Sequence, residues 1–241
     1  MKKIALVTGA SRGIGEQIAL HLAKQGCHLV LCCKERLDLL QEVQRKAENC
    51  GVTCIGFGLD ISKEEEVKSM AENLLHRYGQ IDAIINNAGI SHVGLLQDMT
   101  LAEWNQILAV NLTSLFLTTK YLLPSMLRHG GGNIVNISSV WGNTGASMET
   151  AYSAAKGGVN AFTKALAKEL APSRIRVNAI AAGFIDTSMN HHLSPAERTA
   201  LQEEIPLGRF GTPGDVAKTV DLILKSPYLT GQIITLDGGW T

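Results

Sequence analysis

Short apolar runs alternate with helical patterns along the whole chain. Several of the runs are almost unbroken, which is typical of strands that are covered on both faces of a sheet. The predicted strands are Ile4–Thr8, His28–Cys33, Thr53–Phe57, Ile81–Asn86, Gly132–Ser138, Arg176–Ile180 and Gln232–Leu236. Helical patterns fill the gaps, in Gly13–Gln25, Lys34–Asn49, Lys63–Tyr78, Leu101–Arg128, Thr150–Leu170 and Pro213–Lys225. Repeated β-α-β units of this kind predict a doubly wound α/β fold, with a parallel sheet of about seven strands and helices on both faces.

Composition and charge indicate one domain and exclude several kinds of partner. The 241 residues contain no linker, low-complexity run or repeat, so we expect a single domain over 1–241. The 22 basic and 22 acidic residues cancel, which gives no electrostatic argument for nucleic acid or an anionic membrane as a partner. We expect no membrane span, and the apolar run at Ile4–Thr8 is too short for a signal peptide.

The cysteines are five in number and lack C-x-x-C spacing. An odd number without that spacing favours free, buried thiols over a metal or redox site, so no bound metal is expected. Free thiols are typical of a reducing compartment, which predicts a cytoplasmic protein.

A glycine-rich turn follows the first predicted strand and opens a helix. Glycine lets the backbone turn tightly beside a pyrophosphate, and the start of the helix offers free N–H groups and a positive dipole end. The spacing is G-x-x-x-G-x-G, and its place between strand and helix distinguishes it from an ordinary turn. The turn therefore predicts dinucleotide binding in a Rossmann-type fold and excludes a P-loop. Its residues expected at the cofactor are Gly9, Ser11, Arg12, Gly13, Ile14 and Gly15.

The end of the second strand distinguishes NAD from NADP. NAD enzymes usually place an acid there, whereas here Cys32 stands at about that position. An uncharged residue removes repulsion of a 2′-phosphate, and Lys34 and Arg12 carry suitable countercharge. The alternative is that both basic side chains are merely solvated. We favour NADP as the cofactor.

Asp60 and Ile61 follow the third strand, where they are candidates for the adenine end of the cofactor. A carboxylate at Asp60 suits the adenine amino group. It suits equally well a cap for the helix expected from about Lys63. The sequence leaves both interpretations open.

Tyr152 and Lys156 are four residues apart in a helical pattern, so they share one face. Small residues surround them and leave room for a ligand. A free tyrosine is a poor acid at neutral pH, but a nearby ammonium favours the phenolate and lowers the pKa. The pair is therefore a candidate for proton exchange with a substrate oxygen.

Polar residues at two strand ends and inside one helix complete the candidate site. Ser139 follows the fifth strand and suits a substrate oxygen, although a strand-end serine is more often a cap or turn residue. It lacks the glycines of a G-x-S-x-G hydrolase nucleophile. Asn111 lies inside an apolar helical pattern, where asparagine is unfavourable, so we expect it to have a polar partner.

Taken together, these motifs resemble those of the short-chain dehydrogenase/reductase family over the whole chain. The matching residues are Thr8, Gly9, Gly13, Gly15, Asn86, Asn87, Ala88, Gly89, Asn111, Ser139, Tyr152 and Lys156. The resemblance implies that Tyr152 protonates the substrate oxygen and that Ser139 orients it. It also implies that Lys156 holds the nicotinamide ribose and lowers the pKa of Tyr152, and that Asn111 anchors a water. A homotetramer is implied as well.

One segment departs from the family pattern. The family usually has Pro-Gly after the sixth strand, and here Ala182 stands in the proline position. The positions that contact nicotinamide in the family are kept as Gly183, Ile185 and Thr187. A substrate lid is expected at about 183–212, with altered mobility because Pro is absent.

The choice of carbonyl substrate has two interpretations. Arg12 and the ending Thr-Gly-Gln … Asp-Gly-Gly resemble bacterial 3-oxoacyl-[acyl-carrier-protein] reductases of fatty acid biosynthesis, whose substrate is carried on acyl carrier protein. The segments around Trp141, Glu149 and 186–190 resemble Firmicutes elongation factor P 5-aminopentanone reductases, which act on a ketone carried on that factor. A carboxylate at Glu149 suits an amine-bearing substrate, while a packed Trp141 and an exposed Glu149 are the alternative.

A third possible function involves no catalysis: the chain would be a regulatory protein that binds the cofactor without turnover. The complete set of Tyr152, Lys156, Ser139 and Asn111 argues against it.

Overall fold

The computed structural model describes residues 3–188 and 193–241. Within them, seven parallel strands form one sheet in the order β3-β2-β1-β4-β5-β6-β7. The strands are β1 Ile4–Thr8, β2 His28–Cys33, β3 Cys54–Gly58, β4 Ala83–Asn86, β5 Gly132–Ser139, β6 Ile175–Ala182 and β7 Ile233–Leu236. The order reverses between β1 and β4, so the predicted doubly wound sheet is confirmed.

Helices connect the strands. They are α1 Gly13–Lys24, α2 Leu37–Glu48, α3 Glu64–Tyr78, α4 Leu101–Leu108, α5 Ser114–His129, α6 Trp141–Thr144, α7 Thr150–Leu170, α8 Pro195–Glu204 and α9 Pro213–Lys225. The sequence analysis assigned no helix to α8. Its signal was present, because Ser194 and Glu197 form a capping box ahead of Pro195.

The apolar core has two layers, one on each face of the sheet. Alternate residues of β1 point to opposite layers, so Val7 packs with α1, α2 and α9 while Leu6 packs with α3, α5 and α7. All five residues of β1 are buried. Burial on both faces explains why the strands read as unbroken apolar runs.

The predicted helix Leu101–Arg128 is wrong as one regular element. It consists of α4, a π-helical turn at Ala109–Thr113 and α5. The side chain of Asn111 donates a hydrogen bond to the carbonyl oxygen of Ile107 at 3.0 Å, in competition with the helical backbone. The wider turn sets the position of Asn111 in the fold.

The stretch Leu101–His129 is also long and apolar enough to cross a membrane, contrary to the expectation from the sequence. Half of its most apolar window is buried inside the fold. Leu117, Leu122 and Met126 of α5 belong to the core beneath the sheet. The stretch is therefore explained as a core helix.

All five cysteines are free. Cys32, Cys33 and Cys54 are buried as expected, Cys27 is half-buried, and Cys50 is exposed. Burial raises the pKa of Cys32 to about 12, so its thiol stays protonated at neutral pH.

Candidate active site

A cavity of about 960 Å³ opens beyond the carboxyl ends of the strands, around the reversal between β1 and β4. This is where open α/β sheets bind their ligands. The phosphate turn and Tyr152 both line this cavity. Nearly all the predicted site residues line it: Gly9, Ser11, Arg12, Gly13, Ile14, Lys34, Asp60, Ile61, Asn87, Ala88, Gly89, Ser139, Trp141, Glu149, Tyr152, Lys156, Gly183, Ile185 and Thr187. Gly15 and Asn111 lie behind its wall.

The turn after β1 has the shape that a pyrophosphate requires. Gly9 and Gly13 adopt left-handed backbone conformations, with φ of +64° and +60°. A Cβ on Gly15 would overlap the carbonyl oxygen of Gly9, so α1 begins directly against the turn. The first turn of α1 has no side-chain cap, which leaves its N–H groups for a ligand. The turn therefore fits the phosphates of a dinucleotide.

A hydrogen-bonded clamp fastens this turn to the end of β4. The hydroxyl of Thr8 accepts hydrogen bonds from the backbone N–H groups of Asn87 and Ala88, at 2.9 and 3.0 Å. The side chain of Asn87 donates in return to the carbonyl oxygens of Thr8 and Gly9. The sequence analysis gave Thr8 no role of its own. Its hydroxyl fixes the distance between the two strand ends that face the cofactor cavity.

The ammonium of Lys34 and the carboxylate of Asp60 form an ion pair of 3.0 Å. The carboxylate also accepts two hydrogen bonds from Ser62, so it closes the turn ahead of α3. Burial alone would raise the pKa of Asp60, but the hydrogen bonds from Ser62 and Lys34 outweigh it and lower the pKa. Both residues face the cavity, as predicted. Their mutual pairing was not predicted.

Basic side chains of the described residues gather at this end of the cavity. They are Arg12, Lys34 and Arg36. Arg36 was not among the predicted residues, and its guanidinium pairs with Asp38 at 2.8 Å. The end of β2 presents Cys32 and Cys33 to the cavity where an acid would disfavour a 2′-phosphate.

At the other end, α7 places Lys156 one turn beyond Tyr152. Lys156 is 4% exposed, and its ammonium donates a hydrogen bond to the carbonyl oxygen of Ile137 at 2.8 Å. Burial lowers the pKa of Lys156 to about 8. Its Nζ lies 5.5 Å from the centre of the Tyr152 ring. The shared face inferred from the spacing is therefore confirmed.

The pKa of Tyr152 is shifted in the direction opposite to the expectation. Burial raises it, the negative charge of Glu149 raises it as well, and hydrogen bonding with Ser139 opposes both, so that the pKa of Tyr152 is about 12. Loss of solvation penalises the phenolate more than the neighbouring groups stabilise it. The phenol is therefore a protonated group at neutral pH.

Ser139 ends β5 and is 7% exposed. Its hydroxyl oxygen accepts a hydrogen bond from the backbone N–H of Trp141 at 3.2 Å, so it has a turn role as well. Ser139 and Tyr152 both line the cavity, and Ser139 is close enough to lower the pKa of Tyr152, so the two hydroxyl groups lie near each other at the cavity wall. Two hydroxyl groups at one point can hold a single substrate oxygen.

Asn111 is fully buried, and the polar partner expected for it is Ile90. Its amide donates to the carbonyl oxygen of Ile90 at 2.8 Å, and its Oδ1 accepts from the N–H of Ile90 at 3.3 Å. A Cβ on Gly89 would lie 2.8 Å from that Oδ1 and 3.7 Å from the Nζ of Lys156. Gly89 thus leaves room for Asn111 close to Lys156. The water implied at Asn111 stays a prediction.

The backbone continues as regular strand through Ala182. It pairs with Ser139 on one side and Leu236 on the other, and its carbonyl oxygen accepts from Val140 at 3.0 Å. Beyond it, Ile185 forms a bridge with Gly211, which closes the base of the expected lid. Met189 and Asn190, part of the narrower resemblance, lie outside the described residues. Altered lid mobility stays a prediction.

Trp141 and Glu149 both face the substrate end of the cavity. Glu149 precedes α7, directly after Met148, whose φ of +63° is uncommon for a residue with a side chain. The ring of Trp141 packs against Trp240, with 5.0 Å between the ring centres. Trp240 also lines the cavity and was missed by the sequence analysis, because nothing near it in the chain links it to Trp141.

Comparisons with known proteins agree with this geometry. Residues 3–198 match the family model described as short chain dehydrogenase. The oxidoreductase YmfI of Bacillus subtilis is 41% identical over 100% of this chain and 99% of its own length. The 3-oxoacyl-[acyl-carrier-protein] reductase FabG of Thermotoga maritima is 39% identical over 98% of this chain and 97% of its own. Among solved structures, a variant of actinorhodin polyketide ketoreductase with NADPH is 33% identical, with a TM-score of 0.94 over 99% of this chain and 97% of that one.

Proposed function

Because the chain belongs to the short-chain dehydrogenase family, we propose that it reduces a ketone to a secondary alcohol with NADPH as the hydride donor. The observation that carries this proposal is the cavity itself. Its phosphate turn and its Tyr152–Ser139 pair line one continuous space. The 3-oxoacyl-[acyl-carrier-protein] reductases, about 40% identical over the whole chain, are a chemical precedent.

The residues of the chain supply the proton and the alignment. When bound, the cofactor supplies a hydride to the carbonyl carbon. Tyr152 gives its phenolic proton to the carbonyl oxygen, which Ser139 holds by a hydrogen bond. The electron pair of the carbonyl π bond becomes the new O–H bond. Lys156 stands beside Tyr152 and favours the phenolate that remains.

NADP is proposed over NAD on the charge at the adenosine end. Arg12, Lys34 and Arg36 face the cavity there, and β2 ends in uncharged thiols. A 2′-phosphate gains charge-assisted hydrogen bonds in such surroundings. The actinorhodin ketoreductase is a relative that carries NADPH.

Replacing Tyr152 by Phe tests the chemistry. The ring stays and the proton is lost, so NADPH binding should be almost unchanged while ketone reduction falls by about 100- to 10,000-fold. NADPH oxidation is followed by absorbance. Tyr228→Phe is the matched control, because that side chain is fully exposed. Almost normal turnover by Tyr152→Phe would show that another group donates the proton. Absence of turnover by the wild type with every ketone would favour a regulatory protein.

A second candidate function is reduction of the 5-aminopentanone modification on elongation factor P. The observation in its favour is Glu149, a half-buried carboxylate on the cavity wall close enough to Tyr152 to raise its pKa. A carboxylate at that place suits an ammonium on the substrate and not the neutral chain of an oxoacyl thioester.

Glu149→Gln separates the two substrates. It should raise the KM for an amino ketone by at most about fivefold and leave a neutral ketone of equal length almost unaffected, since partly exposed charge pairs contribute about 0.2–1 kcal/mol. The comparison is made at low salt, because screening hides so small an effect. Glu169→Gln, on the exposed side of α7, is the control. An equal response of both ketones would assign Glu149 a structural role and favour the oxoacyl substrate.

The homotetramer and the cytoplasmic location stay predictions. Exposed apolar side chains on α4 and α5, Leu101, Phe116 and Leu127, support contact with other copies of the chain. Light scattering of the purified protein would give the number of copies.

A further inference from the structure

We propose that Trp240 is a substrate-positioning residue. Together with Trp141 it forms an aromatic wall for the carbon chain of the ketone, and through Glu204 it fastens the lid helix α8 over the cavity. This inference rests on the proposed ketone reduction at Tyr152. It concerns the segment 237–241, which follows β7 and is called the β7 extension.

The β7 extension is fixed at its start. The carboxylate of Asp237 accepts hydrogen bonds from the backbone N–H groups of Gly239 and Thr241, at 2.9 and 2.8 Å. A Cβ on Gly183 would lie only 2.6 Å from the Cβ of Asp237. The extension therefore starts in direct contact with the segment expected at the nicotinamide.

A second set of contacts joins the extension to the lid. The indole N–H of Trp240 donates to Oε2 of Glu204, the last residue of α8, at 3.3 Å. The carbonyl oxygen of Gly238 accepts from the N–H of Leu207 at 3.2 Å. Gly238 has a φ of +72°, and a Cβ there would lie 2.8 Å from the side chain of Ile205. Only glycine permits this close approach to the end of α8.

A third contact joins the extension to the catalytic strand end. The rings of Trp240 and Trp141 meet at 5.0 Å and an angle of 60°. The backbone N–H of Trp141 donates to the hydroxyl of Ser139. Trp240 is therefore connected through Trp141 to Ser139, the residue proposed to orient the substrate oxygen.

The residues around Trp141 and Trp240 indicate which part of the substrate packs against the two rings. Val93, Leu193 and Leu201 line the same cavity as Trp141 and Trp240. An aliphatic chain attached to the carbonyl carbon fits such a wall, and its packing sets the angle at which the carbonyl meets Tyr152. The contacts of Trp240 are with Trp141 and Glu204, and neither of these is among the residues predicted to select the cofactor.

The experiment compares Trp240→Ala, Trp240→Phe, Glu204→Ala and Glu204→Gln with the wild type. Tyr228→Ala is the control for loss of an exposed aromatic ring near the same end of the chain. Trp240→Ala should raise the KM for a straight-chain ketone by about three- to tenfold, the value of an aromatic contact. The Kd for NADPH and the melting temperature should stay close to those of Tyr228→Ala.

The hydrogen bond from Trp240 to Glu204 of α8 is tested separately. Trp240→Phe keeps a ring but cannot donate to Glu204, and Glu204→Ala removes the acceptor. Both should raise KM, and the double variant should be no worse than either one, because the two remove the same interaction. Glu204→Gln keeps an acceptor oxygen, so its KM should equal that of the wild type.

Three results would overturn the inference. They are an unchanged ketone KM in Trp240→Ala, a parallel loss of NADPH affinity, and additive effects of Trp240→Phe and Glu204→Ala. If Trp240→Ala fails to fold, Trp240→Phe and Glu204→Ala still test the inference. Failure of the proposed function itself appears differently, as an absence of ketone reduction by the wild type, and it would remove this inference too.

Discussion

Removing the guanidinium of Arg12 should weaken NADPH binding more than removing the ammonium of Lys34. Both groups stand at the adenosine end of the cavity. Lys34 is already paired with Asp60 at 3.0 Å, and its side chain is 57% exposed. Among the residues that the structure describes, no acid pairs with Arg12. Its charge is therefore the one with most to gain from a 2′-phosphate.

The magnitudes follow from these surroundings. A charge-assisted hydrogen bond is worth about 1.5–3 kcal/mol, which is about tenfold or more in Kd. An exposed ion pair is worth about 0.2–1 kcal/mol, or at most about fivefold. We expect the first range for Arg12→Ala and the second for Lys34→Ala. Neither should change the Kd for NADH, which has no 2′-phosphate.

The assay is a fluorescence titration of each variant with NADPH and with NADH at low salt, where surface charges are least screened. Lys225→Ala is the matched control. Lys225 is also ion-paired, with Asp221 at 2.7 Å, and is 62% exposed, but it lies on α9 outside the cavity wall. Equal losses for both cofactors would refute the assignment of Arg12 and Lys34 to the 2′-phosphate. A wild-type preference for NADH would overturn the choice of NADP.

Two further predictions concern stability. Burial lowers the pKa of Lys156 from 10.5 to about 8, so between these pH values its side chain binds more protons in the unfolded chain, and its own contribution to the free energy of unfolding should rise with pH. Urea unfolding gives the free energy of unfolding at each pH. In Lys156→Met this contribution should be lost, whereas Lys164→Met, which changes an exposed lysine, should keep the pH dependence of the wild type. The same pH dependence in both variants would contradict the assignment. Arg176 donates hydrogen bonds of 2.9–3.0 Å to three carbonyl oxygens, those of Ile223 and Leu224 at the end of α9 and that of Leu229 beyond it. Arg176→Met should therefore lower the free energy of unfolding by about 1.5–3 kcal/mol, and a loss no larger than that of exposed Arg128→Met would count against this.

Much of the fold was predictable because each buried parallel strand can be recognised from a few consecutive residues. Burial on both faces makes them apolar throughout, and the helices between them show their own periodicity. The errors occurred where a single side chain changes the backbone pattern. Asp82 accepts a hydrogen bond from the N–H of Ile4, so β4 begins at Ala83 and not at Ile81. Asn111 interrupts a helix in the same way.

The same distinction between local features and contacts of distant segments applies to the candidate site. The spacing of Tyr152 and Lys156 and the position of Ser139 are local features, and the sequence placed all three correctly on the cavity wall. The Lys34–Asp60 pair and the contact of Trp240 with Trp141 join segments far apart in the chain, and no local pattern encodes them. The direction of the Tyr152 pKa shift was wrong because spacing says nothing about loss of solvation.

That pKa shift decides which form of Tyr152 is present at neutral pH. A phenol held at about 12 is protonated at neutral pH, so it is ready to donate a proton and poorly suited to accept one. The alkoxide that forms when hydride reaches a ketone is a far stronger base than a phenolate, so proton donation from Tyr152 is still favourable. Glu149 and burial therefore both keep Tyr152 in the protonated form that can donate to a ketone oxygen. The carboxylate that suits a cationic substrate also keeps the acid in its donating form, which makes the two proposed roles of Glu149 compatible.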